Sequence, residues 1–293
     1  MPETTKAPLV RLAQQDTTLG NLTANLERHL VEIEAAVEDG VDVLFFPELS
    51  LTGYFLKDQT SEVAIPRDHE LLQPLLERSK NISIGLGFVE LSEDGRVYNA
   101  YGFLEDGELK HVHRKVHLVT YGMFEESRDL APGEGFEVVQ SKHGRFGLLL
   151  CEDAWHVDGA YLYFLNDVDA LVVASAGPGR GVTGESGELG SNRVWRTIQD
   201  AFALFFRTWV LYCNRVGWED GVVFGGASRV VDPAGEPLGE TLGLDPGRLD
   251  VRLDRTALSR ARLQTPLRRD ERPWILAREL MGRIGFEPDT GDS

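Results

Sequence analysis

The sequence predicts an α/β fold in which two mixed sheets pack face to face and helices cover their outer faces. Two observations support this prediction. Segments of β-strand character outnumber helical segments along the 293 residues. Some neighbouring strands are separated by tight-turn signals and others by helical crossovers, which argues against a purely parallel, doubly wound sheet. Because no Pro/Ser-rich linker divides the chain, we expect one large domain with a single core.

The first part of the chain contains a long helix and a buried strand. Apolar residues recur at spacings of three and four from Leu19 to Val37, and this apolar face stops at Asp39-Gly40, which predicts a helix. A buried strand at residues 43–46 follows and leads to Glu48. A second helix is expected around residues 71–76.

Three strand-like segments come next and are separated by turn signals. Asp94-Gly95 and Asp106-Gly107 are typical of tight hairpin turns, so the three strands should form an antiparallel meander. The third strand presents Lys115, and residues 119–135 beyond it are expected to form a loop. The predicted strands of the meander are residues 82–91, 97–104 and 108–118.

The rest of the chain again mixes strands and helices. Prolines at positions 266, 273 and 288 predict an extended arm over residues 264–293. We place the boundary so that residues 1–272 form the domain and residues 273–293 a C-terminal arm. The other predicted elements are strands at 136–140, 145–151, 169–175 and 209–213, helices at 157–166 and 192–207, a glycine-rich loop at 177–190 and a hairpin at 232–235.

The composition limits the classes of partner and the compartment. A formal net charge of −17 would repel nucleic-acid backbones and anionic membranes, so neither is expected as a partner. The N-terminus lacks the apolar segment of a secretory signal, and the longest apolar stretch is interrupted by Arg207. Two cysteines that end separate strands do not suggest a disulfide framework. We therefore expect a cytoplasmic protein with reduced thiols.

A carboxylate, an ammonium and a thiol are each delivered by a strand-like segment. These groups are Glu48, Lys115 and Cys151, and together they can carry out acyl transfer without histidine. The thiolate would attack a carbonyl carbon and the carboxylate would move protons, while the ammonium would lower the thiol pKa and stabilise the oxyanion. Cys213 also ends an apolar run, so position on a strand does not separate the two thiols.

The segments around these three residues resemble the signature motifs of the carbon-nitrogen hydrolases of the nitrilase superfamily, in the same chain order. The matching segments are residues 45–54, 114–118 and 147–155, and further similarity at 172–176, 214–217 and 224–235 extends the resemblance over about residues 8–272. The resemblance implies a four-layer αββα sandwich and a Glu-Lys-Cys triad. It also implies a homodimer or a larger homo-oligomer.

The resemblance further implies a second glutamate seven positions before the glycine of Pro132-Gly133. This position is Glu126, with the adjacent Glu125 as the alternative. The second glutamate would orient Lys115 or the substrate. Residues expected to contact the substrate are Tyr54, Tyr121, Glu152, Trp155 and Ser175.

We predict neither a metal site nor a cofactor. His111, His113 and His117 alternate along one strand with Lys115, but no paired cysteines or His-Glu-x-x-His spacing supports metal binding, so they should pack or hydrogen-bond near the site. The glycines at 85 and 87 lack the third glycine of a dinucleotide-binding fingerprint. Residues 177–190 lack the Gly-Lys-Ser/Thr of a Walker loop.

The predicted activity is hydrolysis of a non-peptide C–N bond in a small-molecule amide or N-carbamoyl compound, through a cysteine thioester that releases ammonia or an amine. A glutaminase that supplies ammonia to a separate synthetase is an alternative, because residues 121–128 and 151–155 look similar to the glutaminase domain of glutamine-dependent NAD synthetases. Nitrile hydrolysis through a thioimidate is another. A catalytically silent binding protein on the same fold is the alternative from a different class.

Overall fold

The computed structural model describes residues 7–183 and 188–284. Three predicted features therefore lie partly outside the described residues: the N-terminus at residues 1–6, the centre of the glycine-rich loop at 184–187 and the end of the C-terminal arm at 285–293. No helix within the described ranges is long and apolar enough to cross a membrane.

The helices of the described ranges are α1 (Leu22–Glu38), α2 (Thr60–Val63), α3 (Gln73–Arg78), α4 (Val157–Leu165), α5 (Gly190–Phe206), α6 (Arg255–Gln264), α7 (Leu267–Asp270) and α8 (Pro273–Ile284). Four of them, α1, α3, α4 and α5, lie in the regions where the sequence predicts helices, whereas α2 and the helices near the C-terminus were not predicted. The Asn21 side chain begins α1 by accepting the backbone N–H of Ala24, which satisfies one free donor of the first turn.

The strands divide between long sheet strands and short local pairs. They are β1 (Leu9–Gln14), β2 (Val43–Phe45), β3 (Ser83–Leu91), β4 (Val97–Glu105), β5 (Glu108–Arg114), β6 (Val139–Ser141), β7 (Gly144–Leu150), β8 (Ala170–Ser175), β9 (Val182–Thr183), β10 (Glu188–Leu189), β11 (Trp209–Asn214), β12 (Trp218–Glu219), β13 (Val222–Val223), β14 (Arg229–Val231), β15 (Pro237–Glu240) and β16 (Gly247–Arg252).

Two six-stranded sheets form the body of the molecule. The first has the order β16-β1-β2-β3-β4-β5 and the second the order β15-β14-β11-β8-β7-β6. In the first sheet β1, β2 and β3 run parallel, and β3, β4 and β5 form the predicted antiparallel meander. In the second sheet β7, β8 and β11 run parallel. Both sheets are therefore mixed, as predicted.

The layers follow from which faces are apolar. Phe45 and Phe103 of the first sheet pack against Phe146 and Leu211 of the second, so the main core lies between the sheets. Two further clusters bury the outer faces: α1 and α3 cover the first sheet, and α4 and α5 cover the second. Each sheet thus buries both of its faces. The predicted αββα sandwich is confirmed.

Two predictions were wrong: the end of the third meander strand and the conformation of the C-terminal arm. The strand that was expected to reach residue 118 ends at Arg114, because the Asp153 side chain accepts the next free N–H groups, those of Val116 and His117, and draws the chain out of the sheet. The arm that was expected to be extended is helical over α7 and α8. Pro273 is the first residue of α8, a position that tolerates proline because its missing N–H would have no helical partner.

Candidate active site

Glu48 lies in the turn after β2 and is fully buried. Its Oε1 accepts hydrogen bonds from Lys115 Nζ and from Asn99 Nδ2, both at 2.8 Å. Its Oε2 accepts the backbone N–H of Ala176 at 2.8 Å. Both oxygens therefore have donors, which offsets the loss of water around a buried carboxylate. The carboxylate is held in one orientation.

Lys115 lies just beyond β5, and its buried ammonium contacts two carboxylates. Nζ donates to Glu48 Oε1 at 2.8 Å and to Glu126 Oε1 at 2.7 Å. Glu126 also accepts the Tyr54 hydroxyl at 2.5 Å. Glu125 is exposed. Of the two candidates for the second glutamate, Glu126 is thus the one that contacts Lys115.

Cys151 begins a short 3₁₀ turn, Cys151–Trp155, directly after β7. Its φ of 45° lies in the left-handed region, which is strained for a residue with a side chain. Its Sγ lies 3.2 Å from Ser175 Oγ at the end of β8. Because the next residue, Ala176, donates to Glu48, the end of β8 brings the thiol and the carboxylate next to each other.

Burial and neighbouring charges decide the protonation of the acid and the base. Burial lowers the pKa of Lys115, but Glu126 and Glu48 outweigh it and hold that pKa well above its ordinary value. The side chain is therefore an ammonium. Burial raises the pKa of Glu48, Lys115 opposes the rise and Glu126 adds to it. A carboxylate with a raised pKa is a stronger base and suits proton transfer near neutral pH.

The thiol is neutral at rest. Burial and the Glu48 charge raise the pKa of Cys151 above its ordinary value, against the lowering effects of Lys115 and Ser175. The sequence-based prediction that the ammonium would lower the thiol pKa is correct in direction, but burial outweighs it. Attack by this sulfur consequently requires a base that takes its proton.

The five residues predicted to contact a substrate have different surroundings. Tyr121 is exposed, and its hydroxyl donates at 3.1 Å to Glu152, the residue that follows Cys151 in the chain. Trp155 is 46% exposed and packs edge-to-face on Trp195, with ring centroids 5.5 Å apart. The two others are already engaged inside the site: Tyr54 hydrogen-bonds Glu126, and Ser175 contacts the Cys151 sulfur.

Two residues that contact this site were missed by the sequence analysis. Asn99, which donates to Glu48, is the one amide in the apolar β4 segment, and a lone amide in a buried strand was a usable signal. Asp153 is fully buried two residues after Cys151, and nothing in the sequence separates it from a surface acid. Its contacts are described below.

The remaining candidates have other roles. Cys213 is buried between the sheets with its Sγ 3.3 Å from the Phe45 carbonyl oxygen, so the two cysteines, which strand position alone did not separate, differ in their surroundings. His113 hydrogen-bonds Asp153 at 2.9 Å, and His117 bonds Asp158 at 3.0 Å. No group of three or more potential metal ligands occurs within residues 7–183 and 188–284.

Comparisons with known proteins show which family the chain resembles. The family model for carbon-nitrogen hydrolase matches residues 9–262. An (R)-stereoselective amidase of Pseudomonas sp is 33% identical over 270 residues, and the alignment covers 91% of each chain. The crystal structure of Nit3 from Saccharomyces cerevisiae, a member of branch 10 of the nitrilase superfamily, has a TM-score of 0.78 at 25% identity and covers 90% of this chain and 96% of that chain.

A second kind of relative is longer than this chain. The glutamine-dependent NAD(+) synthetase of Thermotoga maritima is 32% identical over 265 residues, which are 89% of this chain and 44% of that protein. The chain thus spans less than half the length of this relative. The family match at residues 9–262 includes the segments that deliver Glu48, Lys115 and Cys151. The chain belongs to the carbon-nitrogen hydrolase family of the nitrilase superfamily.

Proposed function

We propose that the protein hydrolyses a small amide or N-carbamoyl compound through a thioester on Cys151. The observation that carries the proposal is the meeting of Cys151, Glu48 and Lys115 at the ends of strands from both sheets. A neutral thiol beside a carboxylate of raised pKa is a nucleophile with its base. The buried ammonium supplies positive charge where an oxyanion would form.

The proposed reaction proceeds in two halves. Glu48 takes the Cys151 proton, the sulfur attacks the carbonyl carbon, and the tetrahedral oxyanion is stabilised by Lys115 and the backbone N–H of Glu152. Glu48 then gives the proton to the leaving nitrogen, and ammonia or an amine departs as the C–N bond breaks. In the second half Glu48 deprotonates a water, which hydrolyses the thioester to the acid and restores the thiol. Glu126 holds Lys115 in place.

The test is ammonia release from a panel of aliphatic amides, glutamine, N-carbamoyl amino acids and nitriles. Cys151→Ala should abolish release, whereas Cys213→Ala is the matched control and should retain it, because Cys213 lies between the sheets. Turnover that survives Cys151→Ala and is lost in Cys213→Ala would contradict the proposal. No release from any compound, together with a Cys151 that resists alkylation, would favour a silent binding protein.

A glutaminase is the second candidate, and one feature of the site favours it. The exposed Arg180 guanidinium lies 5.2 Å from the Phe124 ring centroid and close enough to Tyr121 to influence its pKa, and no ion pair with it occurs in the described part of the chain. The mostly buried Glu152 carboxylate accepts the Tyr121 hydroxyl at 3.1 Å. A cation without an ion-pair partner and an acid, both close to Tyr121, would fit the carboxylate and the ammonium of an amino-acid amide.

Substrate analogues separate this candidate from a general amidase. Glutamine has both charges, 4-aminobutyramide lacks the carboxylate, and glutaramic acid lacks the amine. If the glutaminase proposal is correct, kcat/KM for each analogue should be at least tenfold lower than for glutamine. Arg180→Ala should lower kcat/KM for glutamine but leave kcat/KM for 4-aminobutyramide unchanged. Equal rates on all three would favour the general amidase. Co-purification of a synthetase that raises glutaminase activity would support a separate partner.

We further propose that a second copy of the chain covers α8. None of the described α8 side chains is buried, and apolar residues lie along it: Trp274, Ile275, Leu276, Leu280, Met281 and Ile284. Residues 255–284 carry eight arginines against three acidic residues, whereas the whole chain has a net charge of −17. A basic segment that ends in an apolar helix, on an acidic molecule, is complementary to the body of another copy. The expected assembly is a homodimer or a larger homo-oligomer.

The cytoplasm is the compartment that we propose. Both cysteines are free thiols. The proposed reaction needs Cys151 in the reduced form, and a reducing compartment keeps it so.

A further inference from the structure

Asp153 accepts four hydrogen bonds although it is fully buried. Its Oδ1 accepts the backbone N–H groups of Val116 at 3.1 Å and His117 at 2.8 Å. Its Oδ2 accepts the backbone N–H of Leu150 at 3.0 Å and His113 Nε2–H at 2.9 Å. Four donors occupy the usual acceptor capacity of a carboxylate. Both carboxylate oxygens are therefore fully used, and we call Asp153 with its four donors the junction.

The donors come from two segments that are distant in sequence. Leu150 immediately precedes Cys151, while His113, Val116 and His117 lie on both sides of Lys115. The Asp153 carboxylate consequently connects the backbone next to Cys151 to the backbone next to Lys115. Its hydrogen bonds in the described part of the chain include none to the sulfur or to the ammonium itself.

The bond to Leu150 also supports the strained turn. Cys151 has a φ of 45°, a conformation that persists only where surrounding contacts hold it. The Leu150 N–H is the last backbone donor before this residue, and it donates to Asp153 inside the same 3₁₀ turn. Burial raises the pKa of Asp153, but His113 and the backbone donors outweigh it and keep that pKa below its ordinary value. The carboxylate is thus ionised, which strengthens all four bonds.

His113, which lies on β5, donates the one side-chain hydrogen bond of the junction. It is 2% exposed, stacks on Phe136 with ring centroids 5.7 Å apart, and its Nε2 carries the proton because a carboxylate oxygen accepts the bond. Its neighbour on the same face of β5, His111, does not hydrogen-bond Asp153, and its Nε2 has no hydrogen-bond partner in the described part of the chain. The two histidines thus form a natural pair for comparison.

We infer that Asp153 and His113 are positioning residues for the hydrolysis, which set the distance between the Lys115 ammonium and the Cys151 sulfur. The inference rests on the proposed function, since it concerns the nucleophile and the oxyanion partner named there. Displacements of about 1 Å in such a site can lower a rate by about 100-fold. Loss of the junction should therefore lower kcat while KM, which depends on the substrate pocket, changes little.

The test compares Asp153→Asn, His113→Phe and His113→Gln with His111→Phe as the control, all in a Cys213→Ala background. Asp153→Asn should lower kcat about 100-fold and His113→Phe about tenfold, with KM within threefold of the parent. His113→Gln retains a donor near the Nε2 position and should recover most of the rate. His111→Phe should behave like the parent.

A second readout does not need a substrate. The rate of Cys151 alkylation by iodoacetamide, followed against pH, reports thiolate formation. Lys115 acts to lower the thiol pKa, so its displacement in His113→Phe should move the alkylation profile to higher pH, while His111→Phe leaves it in place. If no amide is hydrolysed by the parent, the proposed function fails, and this profile still tests the junction.

A purely structural role gives a different pattern. In that case Asp153→Asn and His113→Phe would lower the unfolding temperature, yet the folded protein would keep the parent's kcat and alkylation profile. That result would overturn the inference, and so would equal behaviour of His113→Phe and His111→Phe. If Asp153→Asn fails to fold, the comparison of Phe with Gln at position 113 decides the question.

Discussion

Glu48 accepts hydrogen bonds from three different parts of the chain: β4, the segment after β5 and the residue after β8. Of these donors only Lys115 is charged. Asn99 is neutral, and it binds the same oxygen as the ammonium does. Burial raises the pKa of Glu48, and Lys115 and the backbone N–H of Ala176 oppose that rise. Because a donor to the ionised form of an acid lowers its pKa, the hydrogen bond from Asn99 should act in the same direction as these two.

Asn99→Ala is expected to move the acid limb of kcat/KM to higher pH. Loss of the donor raises the Glu48 pKa, and the protonated acid cannot take the thiol proton, so the limb should shift upward by about one pH unit and the rate should fall about tenfold at pH values well below the limb. A kcat/KM profile from pH 5 to 9 measures this shift. Asn99→Asp should shift it further in the same direction, and an unmoved acid limb would contradict the assigned role of Glu48.

A second residue-scale effect concerns stability. His29 is buried on α1, where Nδ1–H donates to the Asn25 carbonyl oxygen and Nε2 accepts the Ser50 hydroxyl. Burial lowers the pKa of His29 from 6.5 to about 4. Between these values the unfolded chain binds a proton that the folded chain does not, so the free energy of unfolding falls as the pH falls through this window.

The His29 contribution can be isolated by substitution. It should make the protein about 2 kcal/mol less stable at pH 5 than at pH 7. Because glutamine does not titrate, His29→Gln should lose about 2 kcal/mol less than the parent between these pH values, whatever its stability at pH 7. Urea unfolding at both pH values checks this. An identical pH dependence in the two proteins would show that His29 is not kept neutral.

At the scale of elements, the turn that carries Glu48 lies directly on β3. Leu51 N–H donates to the Gly87 carbonyl oxygen at 3.0 Å, and Gly87 N–H donates to Ser50 Oγ at 3.1 Å. A Cβ atom at position 87 would lie 2.2 Å from the Leu49 nitrogen. The absence of a side chain at Gly87 is therefore what permits this close approach of turn and strand.

Gly87→Ala is expected to push the turn away from β3. The clash is with backbone, which cannot move aside as a flexible side chain can, so the loss of stability should be about 3 kcal/mol and activity should fall with it. Gly135→Ala is the matched control, because a Cβ there meets nothing within 4 Å. Thermal unfolding and ammonia release measure both effects, and equal behaviour of the two variants would refute this account of the turn.

At the scale of the whole molecule, the charge is unevenly distributed. The arginine-rich segment at residues 255–284 contrasts with the net charge of −17 for the full chain. Its last helix, α8, has no buried side chain in the single chain. Burial of this helix against a second copy would remove exposed apolar surface such as that of Trp274, which is 65% exposed.

Leu280→Glu combined with Trp274→Glu should therefore shift the protein toward the monomer. The substitutions place charge on the proposed contact and reduce the positive charge of the segment, so the dissociation constant should rise at least 100-fold. Analytical ultracentrifugation measures the change, with Glu279→Ala as a control on the same helix. A parent protein that is monomeric at micromolar concentration would contradict the assembly.

Much of the fold was readable from local patterns. The periodicity before Asp39-Gly40 marked α1, and the Asp-Gly pairs marked the β3–β4–β5 meander, because helix faces and hairpin turns depend on residues close in sequence. The end of β5 was not readable in this way. The end of β5 depends on Asp153, which lies about forty residues further along the chain. The Asp153 side chain accepts hydrogen bonds from the N–H groups of Val116 and His117.

The sequence by itself determined the family, the mixed αββα architecture and the set of candidate groups, Glu48, Lys115 and Cys151, because these are carried by short segments with characteristic residue types. Only the tertiary structure decided which of two adjacent glutamates contacts Lys115, and that the Cys151 thiol is neutral at rest. Those outcomes depend on burial and on distances between groups far apart in the chain, and only the packing of the two sheets sets them.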